Sequence, residues 1–167
     1  MATPLIEVVN LEKDYSTGAG VFQALRGVSL AIAEGEFVAI MGASGSGKST
    51  FMNLLGCLDR PSRGSYRLNG QDVSRLSSDQ LAALRNREIG FVFQGFNLLP
   101  KLSALDNVAL PLMYAGMARE ARRQRAQSVL DRVGLGERSH HTPLQLSGRS
   151  EESTVRKYCS YTGSPYN

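Results

Sequence analysis

A glycine-rich segment is the part of this sequence best suited to chemistry. Residues 42–49 read Gly-Ala-Ser-Gly-Ser-Gly-Lys-Ser and follow the apolar run 37–41. This order fits the phosphate-binding pattern G-x-x-x-x-G-K-[ST], which lies between a strand and a helix. Glycines let successive backbone N–H groups turn towards phosphates, and the positive N-terminal end of the next helix adds to the attraction. The spacing predicts a nucleoside triphosphate site and disfavours a flexible Gly/Ser linker.

The side chains of this loop have separate expected roles. Lys48 can reach the β- and γ-phosphates, where one charge at about 4 Å is worth roughly 4 kcal/mol at an intermediate dielectric. The Ser49 hydroxyl is expected to bind Mg²⁺. The predicted ligands of the loop are therefore a nucleoside triphosphate and Mg²⁺. The nucleotide-binding residues predicted in the loop are Gly42, Ala43, Ser44, Gly45, Ser46, Gly47, Lys48, Ser49 and Thr50.

The length, hydropathy and charge of the sequence predict how many domains it forms, where it is located and whether it binds nucleic acid. The 167 residues suit one globular domain, and no apolar run approaches the roughly 20 residues that cross a bilayer. The N-terminus carries no secretion signal, which predicts a cytoplasmic location. The net charge of +4 derives largely from arginines on one predicted helix with no interleaved aromatic residue, so we expect no nucleic-acid partner.

Apolar periodicity predicts the elements that position the loop. Residues 6–9 and 28–32 are predicted strands, and residues 67–71 carry a hairpin turn, which indicates an antiparallel β layer. The runs 37–41 and 89–93 predict two further strands beside the loop. Strands and helices that alternate in this way are typical of α/β folds.

Cap patterns predict a helix before the strand at 89–93, and a helical subdomain beyond Gln94. Ser77 with Gln80 forms a capping-box pattern, and Ser103 with Asp106 forms a second helix start. Gly134 closes a further helix. Four apolar residues form a stripe on that helix: Ala126, Val129, Leu130 and Val133.

Four separate motifs in a fixed order resemble the ATP-binding subunits of ABC transporters. They are residues 35–42 before the loop, 53–61 after it, Gly-Phe-Val-Phe-Gln-Gly-Phe-Asn-Leu-Leu-Pro at 90–100, and Leu-Gln-Leu-Ser-Gly at 144–148. The resemblance is to the branch that contains macrolide-exporter and lipoprotein-releasing ATPases. It implies a P-loop NTPase core with an antiparallel β subdomain over residues 1–94, and a Q-loop and helical subdomain over residues 95–148.

The resemblance also implies roles for residues that mean little by themselves. Tyr15 would stack on adenine, with a buried structural tyrosine as the alternative. Gln94 would help hold Mg²⁺ and the attacking water, and would act in catalysis with Lys48. Ser147 and Gly148 would clamp the ATP bound to an opposite subunit, in a homodimer or with a second ATP-binding subunit. Without the resemblance, Leu-Ser-Gly would be read as a turn.

The implied function is to couple ATP binding and hydrolysis to substrate export or lipoprotein release. The implied partner is a transmembrane permease, which would place the chain on the cytoplasmic, inner face of the cell membrane. The permease would choose the substrate, so macrolides, lipoproteins and peptides all stay open.

The resemblance stops after Gly148. The family pattern continues with Gly-Gln, then a strand ending in Asp-Glu and a His that contacts the γ-phosphate, and residues 149–167 contain none of these. We therefore expect a cassette that is incomplete at its C-terminus and truncated or frameshifted after residue 148, with a disordered tail and little hydrolysis. A genuine variant tail is the alternative. A noncatalytic nucleotide-binding fragment or inhibitor of an intact subunit is then the second function, and a small-molecule kinase is disfavoured.

Overall fold

The described residues contain an antiparallel sheet of four strands, all of them in the first half of the chain. The computed structural model describes residues 4–18, 20–92 and 98–146. The strands lie in the order β2-β1-β3-β4. In chain order they are β1 (Ile6–Thr17), β2 (Gly20–Ile32), β3 (Arg63–Leu68) and β4 (Gln71–Asp72).

The sheet confirms the predicted antiparallel β layer and extends it. Both predicted strands are much longer than the apolar pattern indicated, and they pair with each other along their length, with Tyr15 opposite Phe22. Asn69 and Gly70 connect β3 to β4 with φ angles of 49° and 77°. Two successive residues with positive φ form the tight turn that suits the right-handed twist of a hairpin, so the predicted turn is confirmed.

The described residues form four α-helices, and two of them begin at the caps that the sequence predicts. Ser77 N–H donates to Gln80 Oε1 at 2.8 Å and Gln80 N–H donates to Ser77 Oγ at 3.2 Å, which confirms the capping box. Ser103 Oγ accepts from Asp106 N–H at 3.1 Å, which confirms the second predicted helix start. The helices are α1 (Lys48–Leu55), α2 (Ser78–Glu88), α3 (Ala104–Tyr114) and α4 (Arg119–Arg132).

The chain divides into two compact units, Met1–Ala82 and Ala83–Asn167. In the first unit, α1 packs on the sheet through the buried Phe51 and Leu54. The Tyr66 hydroxyl on β3 donates to Leu55 O at 2.8 Å, and burial raises the pKa of this tyrosine well above its ordinary value. The end of α1 is therefore fixed to the sheet.

The second unit has its own core between α3 and α4. Asn107 is a buried polar residue of this unit. Its side-chain amide hydrogen-bonds the backbone of Leu99, Leu102 and Ser103, so the chain before α3 is held in place. The core consists of Ala104, Val108, Ala109, Ala126, Val129, Leu130, Leu135 and Leu146. Three of the four predicted stripe residues are in this list, and Val133 packs against it.

The prediction of two strands beside the phosphate-binding loop, at 37–41 and 89–93, is wrong for the residues that the structure describes. Residues 37–41 and 89–92 are in neither strand nor helix, and Phe37 and Met41 are 95% and 87% exposed. A strand needs neighbours to accept and donate its backbone hydrogen bonds. The described strands pair only with one another, so an apolar run alone does not form a strand here.

Candidate nucleotide-binding site

The glycine-rich loop reaches α1 through a close approach to β2. Gly47 is the N-cap of α1 and has a φ of 87°. A Cβ at this position would lie 2.6 Å from Ala24 O and 2.9 Å from Leu25 Cδ2. Only glycine combines this backbone conformation with this clearance. The last glycine of the motif therefore lets the loop lie directly against the sheet.

The first turn of α1 presents backbone donors at the loop. The first hydrogen bond of this turn runs from Phe51 N–H to Gly47 O at 2.8 Å. The N–H groups of Lys48, Ser49 and Thr50 precede it, and an α-helix supplies no internal acceptor for its first amides. No acidic residue lies in this turn. The positive end of the helix is thus available for an anion.

Lys48 lies over the loop that precedes it. Its Nζ donates to Gly42 O at 2.7 Å and to Ala43 O at 2.6 Å, and lies 3.4 Å from Ser46 Oγ. The loop thereby holds one full positive charge beside the partial positive charge of the helix terminus. These charges have the same sign and face the same space, which favours a multiply charged anion there.

A pocket of about 590 Å³ adjoins these groups. Its lining consists of Phe22, Ala24, Ser44, Gly45, Gly47, Lys48, Ser49 and Thr50. The loop and helix residues in this set are predicted from the sequence, but Phe22 and Ala24 are not. Both belong to β2, and the signal that would have found them is the hairpin register, since Phe22 pairs with the predicted base-binding Tyr15.

Tyr15 lies at the surface and is not the buried structural residue that the alternative required. It is 36% exposed, and its hydroxyl donates to Asp59 Oδ2 at 3.0 Å. Partial burial and the bond to Asp59 raise the pKa of Tyr15. Tyr15 and Phe22 are thus cross-strand neighbours beside the loop.

Three of the predicted site residues lie outside the described residues: Gln94, Ser147 and Gly148. Their roles stay predictions. Within residues 4–18, 20–92 and 98–146, no group of three or more His, Cys, Asp or Glu could hold a metal ion. In that same part of the chain, no helix is both long and apolar enough to cross a membrane.

The sequence places this site in a known class of ATP-binding domains. Residues 25–153 match the family ABC transporter, and the chain belongs to this family. The predicted family is thereby confirmed, and membership supports ATPase activity in general terms.

Individual relatives are similar over most of this chain. It is 55% identical over 152 residues to the macrolide export ATP-binding/permease protein MacB of Hyphomonas neptunium, covering 91% of this chain and 24% of the relative. It is 52% identical over 148 residues to an uncharacterized ABC transporter ATP-binding protein of Thermotoga maritima, covering 89% of this chain and 63% of the relative. The chain thus spans less than a quarter of the first and less than two thirds of the second.

A solved structure confirms the fold class. The dimeric structure of a post-hydrolysis state of the ATP-binding cassette MJ0796, bound to ADP and Pi, superposes with a TM-score of 0.83 at 41% identity. The match covers 96% of this chain and 71% of that one. The mixed arrangement of helices and antiparallel sheet is therefore that of an ABC ATPase cassette.

Proposed function

We propose that this chain binds ATP with Mg²⁺ at the glycine-rich loop and belongs to an ATPase that drives transport. One observation carries the proposal. The loop, the first residues of α1 and Lys48 line one pocket, and the absence of a Cβ at Gly47 lets the loop lie against Ala24. A chain of phosphates carries charges of the opposite sign and acceptor oxygens for these donors.

The residues of this pocket fit both ATP and Mg²⁺. The pocket volume of about 590 Å³ is in the range of sites that take a nucleotide-sized molecule. Lys48 would exchange the carbonyl oxygens of Gly42 and Ala43 for phosphate oxygens. Ser49 supplies a hydroxyl oxygen, a ligand type that Mg²⁺ accepts when phosphate oxygens complete its coordination. Mg²⁺ would neutralise charge that develops on the phosphates.

Aromatic side chains beside the loop fit the base of the nucleotide. Phe22 is 57% exposed and lines the pocket, and Tyr15 lies opposite it on β1. The flat face of a base can stack on such rings without any hydrogen bond to its edges. We therefore assign the adenine to this end of the β1–β2 hairpin.

The wider function is proposed from the relatives. Proteins named macrolide export ATP-binding/permease protein share more than half of the aligned residues with this chain. We infer that it couples ATP binding and hydrolysis to substrate export or lipoprotein release through a membrane permease, at the cytoplasmic face. Two ATP-binding units would enclose the nucleotides, with Gln94 serving its own site and Ser147 and Gly148 serving the opposite one.

Calorimetric titration of the chain with ATP and Mg²⁺ tests the binding step. Lys48→Ala is expected to weaken ATP binding by about tenfold or more, because a charge beside the phosphates is lost. Lys101→Ala removes an exposed lysine of the other unit and serves as the matched control. Equal affinities for the two variants would contradict the proposed site.

Hydrolysis is tested separately from binding. We expect little phosphate release from these 167 residues, because the sequence contains no Asp-Glu pair to supply the metal carboxylate and the general base. Release of phosphate that depends on Mg²⁺ and disappears in Lys48→Ala would overturn this expectation and leave the binding proposal intact.

A further inference from the structure

Three side chains meet around Tyr15, the residue that pairs with Phe22 of the nucleotide pocket. Tyr15 and Lys13 are neighbours on one face of β1, and Asp59 lies in the segment after α1. The Tyr15 hydroxyl donates to Asp59 Oδ2 at 3.0 Å. Lys13 Nζ donates to Asp59 Oδ1 at 2.7 Å and to Arg60 O at 2.7 Å. One carboxylate thus binds both β1 side chains.

Lys13 also lies over the ring of Tyr15. Its Nζ is 4.9 Å from the ring centroid, within the range of a cation–π contact. The Lys13 side chain is only 12% exposed, and its three hydrogen-bonding and ring contacts fix its position. The ammonium therefore covers one face of the tyrosine ring while Asp59 holds the hydroxyl end. Tyr15 is still 36% exposed, so part of its ring is accessible to another flat group.

The side chain of Asp59 is an ionised carboxylate at neutral pH. Burial alone would raise its pKa, but hydrogen bonds from Lys13, the Arg60 N–H and Tyr15 outweigh burial and hold the pKa below the ordinary 3.8. The carboxylate is therefore an acceptor for both partners at neutral pH.

We propose that Asp59 is a positioning residue which, together with Lys13, fixes the Tyr15 ring for stacking on the base of the bound nucleotide. The inference rests on the proposed function, since it assumes that ATP occupies the pocket next to Tyr15. A tyrosine already held in its bound orientation loses little conformational freedom when the base arrives, and that saving appears as affinity.

The alternative is that Asp59 only connects β1 to the segment after α1. Other contacts already make this connection. Ser62 N–H donates to Glu12 O at 2.8 Å, and Ser62 Oγ accepts from Asp14 N–H at 2.9 Å. Arg63 bridges Glu12 and Asp14 at 2.6 Å and 3.0 Å. These bonds join β1 to the segment after α1 without Asp59, so its carboxylate can be altered while the connection persists.

The test compares a ligand that has a base with one that has none. ATP and inorganic tripolyphosphate, each with Mg²⁺, are titrated into the full chain and into Asp59→Asn. We expect the variant to bind ATP about threefold to tenfold more weakly, the cost of ordering one free side chain, and to bind tripolyphosphate as the unaltered chain does. Asp14→Asn removes a neighbouring carboxylate that contacts Arg63, and should leave both affinities unchanged.

Tyr15→Phe is a second test of the positioning role, because it removes the hydroxyl that Asp59 binds and keeps the ring. It should weaken the binding of ATP alone. Adding Asp59→Asn to it should cause a smaller further loss than Asp59→Asn causes in the unaltered chain, because only the contact of Asp59 with Lys13 is then left to lose. Equal losses for both ligands, no loss for either, or a double-variant loss equal to the sum of the two single losses would overturn the positioning role. An unaltered chain that binds neither ligand would instead refute the proposed function.

Discussion

Replacing Gly47 by alanine tests the geometry on which the site depends. With a φ of 87°, any L-residue here is in a left-handed conformation, which costs about 1–2 kcal/mol. The added Cβ would also lie 2.6 Å from Ala24 O, a backbone atom of the sheet that cannot rotate away. Displacing a packed segment to relieve such a contact costs about 1–3 kcal/mol. The expected destabilisation is therefore about 2–5 kcal/mol.

Gly45 offers a matched control within the same loop. Its φ is 79°, so alanine meets the same backbone penalty, but nothing lies within 4 Å of the added Cβ. Gly45→Ala should therefore cost only about 1–2 kcal/mol. The difference between the variants isolates the contact with Ala24 O and amounts to about 1–3 kcal/mol, or roughly 2–12 °C in Tm.

Thermal unfolding followed by far-ultraviolet circular dichroism measures this difference, and titration with ATP and Mg²⁺ reports whether the loop has moved. We expect Gly47→Ala to have the lower Tm and the weaker ATP binding. If the two alanine variants have the same Tm and the same affinity, the loop does not depend on its approach to β2, and the reasoning about the site is refuted.

Other contacts lead to further measurable outcomes. Tyr66→Phe leaves Leu55 O without its donor and should lower the free energy of unfolding in urea by about 1–2 kcal/mol. Ser103→Ala removes the N-cap of α3 and should cost about 1 kcal/mol, whereas Ser128→Ala within α4 should cost far less. Because the pKa of Asp59 is lowered on folding, its contribution is present above the ordinary 3.8 and is lost as the pH falls through the lower folded value. The difference in unfolding free energy between the unaltered chain and Asp59→Asn should accordingly shrink only below about pH 4, and a difference that shrinks near neutral pH would contradict this.

Features that depend on a few consecutive residues are determined by the sequence. The loop at 42–49, the capping box at 77–80 and the hairpin turn at 69–70 appear where the sequence places them. Each is made by contacts between residues no more than a few positions apart, or by a backbone conformation that glycine or asparagine permits. Residue type and spacing are sufficient for such features.

Features that depend on residues far apart in the chain are decided by the tertiary structure. The bond from Tyr15 to Asp59 spans 44 positions, and Phe22 joins the pocket because the β1–β2 register sets it opposite Tyr15. The apolar run 37–41 is an example in which the local pattern was misleading. Its pattern predicts a strand, but no described strand pairs with it. A strand and a shared site both need partners from elsewhere in the chain, and local hydrophobicity specifies that a segment can be buried but not what will cover it.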